Sequence, residues 1–241
     1  MSATHRFKAV VFDYGGVICH PPREEDLDQL AAIAGLDRQT FAELYGTTRE
    51  PFDRGVMTSS DYWPHFAMHA RTALTPAQIG ELAALDLRVW RHMNASMIAL
   101  VSELREAGLR TAILSNMQPE LLRILRADAA WLDAFDVHVF SCDLQMVKPE
   151  PEIYRHLLAA LDALPGEVIF VDDMRVNVEA ARALGIHALQ YTSFPELRSQ
   201  LSDLLAQAAS VPSSSRAAAA TVRLSTPKTS MACADSGSTP K

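Results

Sequence analysis

Residues 7–17 read FKAVVFDYGGV. The first six, FKAVVF, form a short β-branched and aromatic run of the kind that makes a fully buried strand. The run stops at Asp13, and Gly15 and Gly16 follow at once, so a carboxylate stands at the end of a buried strand beside a turn. Downstream the same order recurs. LRTAIL (109–114) precedes a helical pattern near 119–127, and FDVHVF (135–140) precedes one near 150–162. VIFVD (168–172) leads into a helix near 176–184, and IHALQY (186–191) into one near 195–208. Apolar strands alternating with amphipathic helices predict a parallel sheet covered on both faces, an α/β, Rossmann-like core.

Between the first strand and residue 93 the order breaks. After Pro21-Pro22 the pattern is helical at about 24–34, 38–45, 59–71 and 75–92, with Thr75 before Pro76 as an N-cap and first-turn proline. A further helix starts near Asn94, puts Met97, Ile98, Val101 and Leu104 on one face, and ends at Gly108. The expected organisation is a core of residues 1–17 and 94–208, a helical cap inserted at 18–93, and a low-complexity tail at 209–241. The tail is built from Ser, Ala, Thr and Pro with almost no large apolar residues, so disorder is expected there.

With 241 residues, 49% of them hydrophobic, the chain is long enough for a real buried core. Its formal charge of −7 argues against a general nucleic-acid binder, whose affinity comes from clustered Lys and Arg. Arg216, Arg223, Lys228 and Lys241 against Asp235 make the tail +3, which leaves −10 for residues 1–208. No apolar run reaches the roughly 18 to 20 residues that cross a bilayer, and the opening MSATHRFKAVVFDYGG lacks the pattern of a secretory signal. A cytoplasmic location is the expectation. Cys19, Cys142 and Cys233 form no metal or disulfide pattern, and none is given a catalytic role.

In an open parallel α/β sheet, ligands bind beyond the carboxyl ends of the strands. Those ends carry Asp13 with Gly15, then Ser115-Asn116, then Lys148-Pro149 a few residues past the third strand, then Asp172-Asp173. Carboxylates crowded on one edge repel each other unless a hard divalent cation neutralises them, and oxygen ligands of this kind suit Mg²⁺. A cation, Lys148 and the Ser115 hydroxyl together could hold a phosphoryl group, and Asp13 could attack it.

These motifs, VVFDYGGV, TAILSNM, MVKPEPEIY and VIFVDDMRVNVEAARALGI, resemble the haloacid dehalogenase superfamily of hydrolases in order and spacing. The resemblance covers roughly residues 7–200 and is nearest to phosphatases like the N-terminal domain of soluble epoxide hydrolase. It implies Asp13 as nucleophile and metal ligand, and Ser115 and Asn116 at the phosphate. It also implies Lys148 beside nucleophile and phosphate, and Asp13, Gly15 (through its carbonyl), Asp172 and Asp173 around Mg²⁺. The implied reaction is hydrolysis of a small phosphorylated metabolite, such as a sugar phosphate, through an aspartyl-phosphate.

One departure bears on the chemistry. Most phosphatases of the superfamily carry a second Asp two residues after the nucleophile as general acid, and this chain has Gly15 there. Losing a positioned acid typically costs about 10²- to 10⁴-fold, so activated phosphates are expected to suffer least. A phospho-ligand binder without turnover stands as the alternative, and a 2-haloacid dehalogenase as a further one. Dehalogenases also lack the second Asp, but their fourth motif usually reads Ser-Ser-Asn without a metal, against Asp172-Asp173 here. His20 is a candidate substitute proton donor. Asn177 is placed either bracing the Asp172-Asp173 loop or on a helix surface. Arg54 is read as an ordinary exposed arginine, and Trp63, Phe66 and Trp90 as core of the cap.

Overall fold

The computed structural model describes residues 7–127 and 129–209. The residues expected to form the tail lie outside this range, apart from Ala209.

Five short strands form one parallel sheet: β1 (Ala9–Phe12), β2 (Arg110–Ser115), β3 (Val137–Phe140), β4 (Val168–Asp172) and β5 (His187–Gln190). Their spatial order is β3-β2-β1-β4-β5. The chain therefore builds outward from β1 in one direction, then returns to its other side with β4. That reversal is the point at which parallel α/β sheets open a crevice for ligands. Register brings the chemistry there: Phe12 pairs with Val171, and the Asp13 amide donates to the Val171 carbonyl at 2.8 Å. Asp13 and Asp172 thus leave the sheet side by side.

Alternate residues of the strands feed two cores. On one face Val10, Phe12, Ile113 and Val171 pack with Met97, Val101 and Leu104 of α6 (Ala95–Glu106) and Leu197 and Leu201 of α11 (Phe194–Ala209). On the other, Val11, Leu114 and Phe170 meet Ile153 and Leu157 of α9 (Pro151–Ala160) and Val178 of α10 (Arg175–Ala183). Strands buried on both faces are why their sequences show no polar alternation.

Between β1 and α6 lie α1 (Glu24–Ala34), α2 (Arg38–Thr48), α3 (Glu50–Asp53), α4 (Ser59–His69) and α5 (Pro76–Val89). These helices share a separate hydrophobic cluster in which Phe41, Phe52, Tyr62, Trp63 and Phe66 are buried. The N-caps are legible in the sequence: Asp37 accepts from Thr40, Thr75 from Gln78, and Asn94 from Met97. α2 runs three residues beyond the expected 45, and α4 and α5 stop short of 71 and 92. The single-turn helices α3 and α8 (Ser141–Leu144) were not expected, because four residues offer no periodicity to detect. α7 (Pro119–Ala127) lies where its pattern placed it. No helix among the described residues is long and apolar enough to cross a membrane.

Candidate active site

A cavity of about 490 Å³ opens at the carboxyl ends of β1 and β4, with Asp13, Gly15, Asn116, Lys148 and Asp173 among its lining residues. Lys148 is the hub. Its buried ammonium lies 2.8 Å from Asp13 Oδ1 and 2.6 Å from Asp172 Oδ2. Burial alone would lower the Lys148 pKa, but the two carboxylates outweigh it and hold the group charged. Burial pushes the Asp13 carboxyl up to about 7 against the pull of Lys148, and the neighbouring Asp172 adds to the push.

Asp13 Oδ1 also accepts the Tyr14 amide at 2.7 Å. Asp172 is fully engaged. Its Oδ1 accepts from the Met174 amide at 2.8 Å and from Asn177 Nδ2 at 3.0 Å, and its Oδ2 takes Lys148 and Asn177. Asn177 is therefore a buried brace for this loop rather than helix surface. Asp173 faces the cavity, and burial raises its pKa. Its carboxylate packs on Gly16, whose φ of +73° and bare Cα make room: a Cβ there would sit 2.5 Å from Asp173 Oδ2.

One oxygen or other ligand atom from each of Asp13, Asp172 and Asp173 lies within 4.8 Å of the others. Three carboxylates against the single Lys148 ammonium leave excess negative charge, and an all-oxygen donor set fits a hard divalent cation such as Mg²⁺.

Of the other expected residues, Asn116 exchanges two hydrogen bonds with the Lys148 backbone, at 2.8 and 2.9 Å, and so fixes the lysine's loop. Ser115 is buried at the end of β2, does not line the cavity, and donates to the Asn116 carbonyl at 3.3 Å. His20 is exposed and is not among the lining residues, although Pro21 beside it is. Trp63 and Phe66 are core of the helical insertion. Trp90 is more than that, because its ring lies 3.2 Å from where a Cβ of Gly15 would be. Arg54 is not an idle surface residue: it grips both carboxylate oxygens of Glu150 at 2.7 and 3.1 Å and the Gln145 carbonyl at 3.0 Å.

Sequence reasoning missed a polar network on the insertion side. Asp86 is buried and accepts from Tyr45, from Arg49 at 3.0 Å and from Gln118 at 2.5 Å, while Arg49 also holds Asp53 at 3.1 Å. The signal was present. Leu82, Leu85, Asp86 and Val89 are the buried residues of α5, so Asp86 is an acid inside an apolar stripe.

The model of the haloacid dehalogenase-like hydrolases matches residues 7–185. The chain belongs to that family. The HAD-like hydrolase is 30% identical to the sesquiterpene phosphatase astK of Aspergillus oryzae over 188 residues, which cover 77% of this chain and 90% of that one. It is 40% identical to an (S)-2-haloacid dehalogenase of Xanthobacter autotrophicus over 200 residues, 74% of this chain and 72% of that one. In fold it is similar to a HAD family enzyme of Bacteroides thetaiotaomicron solved in complex with magnesium and inorganic phosphate. The TM-score is 0.63 at 21% identity, over 79% of this chain and 98% of that one.

Proposed function

We propose that this HAD-like hydrolase is a Mg²⁺-dependent phosphatase of small phosphomonoesters. The observation that carries the reading is the acid cluster itself, Asp13, Asp172 and Asp173 within mutual reach, with Lys148 bonded to the first two. Asp13, the Gly15 carbonyl and Asp173 would hold the ion, with Asp172 orienting Lys148 behind them. Bound Mg²⁺ would supply charge neutralisation for the carboxylates and polarisation of the phosphoryl oxygens. Residues 18–93 act as a cap over a core whose described parts lie within 7–17 and 94–208.

Asp13 Oδ1 is taken by Lys148 and the Tyr14 amide, so Oδ2 is the oxygen available to attack phosphorus. As that bond forms, the bond to the leaving oxygen breaks and the electron pair departs with the alcohol. Lys148 steadies the charge on the transferring oxygens, and Asn116 holds the Lys148 loop at the correct height. Water then cleaves the aspartyl-phosphate, releasing phosphate and restoring the carboxylate. Gly15 offers no acid, and the Trp90 ring lies 3.2 Å from where a Cβ there would sit. The leaving oxygen therefore takes its proton from solvent, which favours alcohols that leave readily.

A phosphate-release panel of sugar phosphates, nucleotides, acyl phosphates and p-nitrophenyl phosphate, with and without Mg²⁺, tests this. Mg²⁺-dependent release, fastest from activated esters, is expected. Chloride release from (S)-2-chloropropionate without Mg²⁺, and no phosphate from any ester, would replace it with the dehalogenase reading that the Xanthobacter relative favours.

A further inference from the structure

We infer that His65 and His69 form a second metal site, on the solvent side of α4, that takes a late divalent transition ion such as Cu²⁺ or Ni²⁺ and not Mg²⁺. It is independent of the acid cluster and of the phosphatase reading.

The helix α4 buries Tyr62, Trp63 and Phe66 in the cluster shared by the helices of the insertion. Its other side carries His65, half-buried, with Met68 and His69, both exposed. Side chains four positions apart stand one above the other on a helix. Here they bring the two imidazoles to 4.6 Å between centroids, with 66° between the ring planes. That separation matches two rings sharing one ion. With metal–nitrogen bonds of about 2.0–2.1 Å, imidazoles at a right angle about an ion have centroids about 4.5 Å apart, and at the tetrahedral angle about 5 Å. The observed value is nearer the first, the angle of the tetragonal sites that Cu²⁺ and Ni²⁺ prefer.

Neither ring hydrogen-bonds or ion-pairs with a described residue, so no bond within the protein has to break to admit the ion. The place of His69 in the last turn would account for one histidine through the helix dipole, but not for a second ring laid against it. Met68, 66% exposed, adds a thioether to the same side of the helix, a ligand type that softer ions favour. No third imidazole, thiol or carboxylate joins the pair among the described residues, so water completes the coordination. Donor chemistry then sorts the ions: the oxygen donors of Asp13, Asp172 and Asp173 suit Mg²⁺, whereas imidazole nitrogens suit the late transition metals.

The test is calorimetric titration of the full chain with Cu²⁺ and with Ni²⁺ in a millimolar excess of Mg²⁺. An ion is expected to bind at the pair, Cu²⁺ more tightly than Ni²⁺. Two ligands on one helix act as a chelate, so His65→Ala and His69→Ala should each weaken binding at least about tenfold, while Asp173→Asn leaves it in place. Electron paramagnetic resonance of the Cu²⁺ complex should show two nitrogen ligands in the natural protein and one in His69→Ala, a signature that a merely structural role for the ring would not move. Alanine on the solvent side of a helix preserves the fold, which thermal unfolding without metal checks. Unchanged affinity in either histidine variant, loss of binding in Asp173→Asn instead, or a spectrum of the natural protein without two nitrogen ligands would overturn the inference.

Discussion

At Lys148, one ammonium pairs with two buried carboxylates, and removing it leaves both without a cation. Breaking a buried pair in this way typically costs about 3–5 kcal/mol. Lys148→Met should therefore unfold in urea at a clearly lower midpoint, and Mg²⁺ should recover part of the loss, because a bound cation replaces the missing charge. An unchanged midpoint would mean the ammonium does not hold this cluster together. Gly16 is the other exacting position. A methyl group there meets the Asp173 carboxylate at 2.5 Å, on backbone with φ of +73°. Gly16→Ala should displace Asp173 and cost about 1–3 kcal/mol, and Mg²⁺ should raise its Tm by much less than that of the natural protein.

At the scale of elements, the insertion is joined to the core by particular contacts. Gly55, with φ of +81°, leaves no room for a Cβ against the Cys142 backbone at 2.8–2.9 Å. The Asp53 carbonyl accepts from Ser141, whose Oγ in turn accepts the Met117 amide at 2.8 Å. Arg54 reaches Glu150, and Glu150 accepts the Val147 amide at 3.1 Å, one residue before Lys148. Arg54→Ala should cost under about 1 kcal/mol, as partly exposed ion pairs do, yet lower kcat/KM severalfold by loosening the Lys148 loop. Arg54→Lys should rescue little, since an ammonium cannot make the two-pronged contact. Equal losses in stability and in kcat/KM would argue against a positioning role. The strands and the residues at their ends were legible because buried parallel strands are continuous apolar runs, and a charge just past such a run stands out, as Asp13 and Asp172 do. Tyr45, Arg49, Asp53 and Gln118 were not legible, because polar residues on helices and in the short connections between elements resemble a solvated face until the partner that buries them is known. Arg54 was misread for the same reason: its partner Glu150 lies 96 positions away.

For the molecule as a whole, the acidity has structure. Burial raises the Asp53 pKa to about 6 despite Arg49 beside it. The unfolded chain releases that proton near 3.8, while the folded chain keeps it to about 6. Between those values the folded state carries the extra proton, so this group makes stability fall as pH rises through the window. Asp53→Asn should make Tm vary less steeply between pH 4 and 6 than it does in the natural protein; an identical profile would contradict the burial argument. The excess carboxylates, Asp13 and Asp173 foremost, gather at the cavity, and the proposed phosphatase reading requires that Asp13 take the phosphoryl group. That claim is tested most directly by acid-quenching the enzyme during turnover of acetyl phosphate with Mg²⁺ and locating the phosphoryl adduct by peptide mass spectrometry. An adduct on the peptide that holds Asp13, lost in Asp13→Asn, is the predicted result. Phosphate release with no adduct on that peptide, or with undiminished turnover in Asp13→Asn, would contradict it.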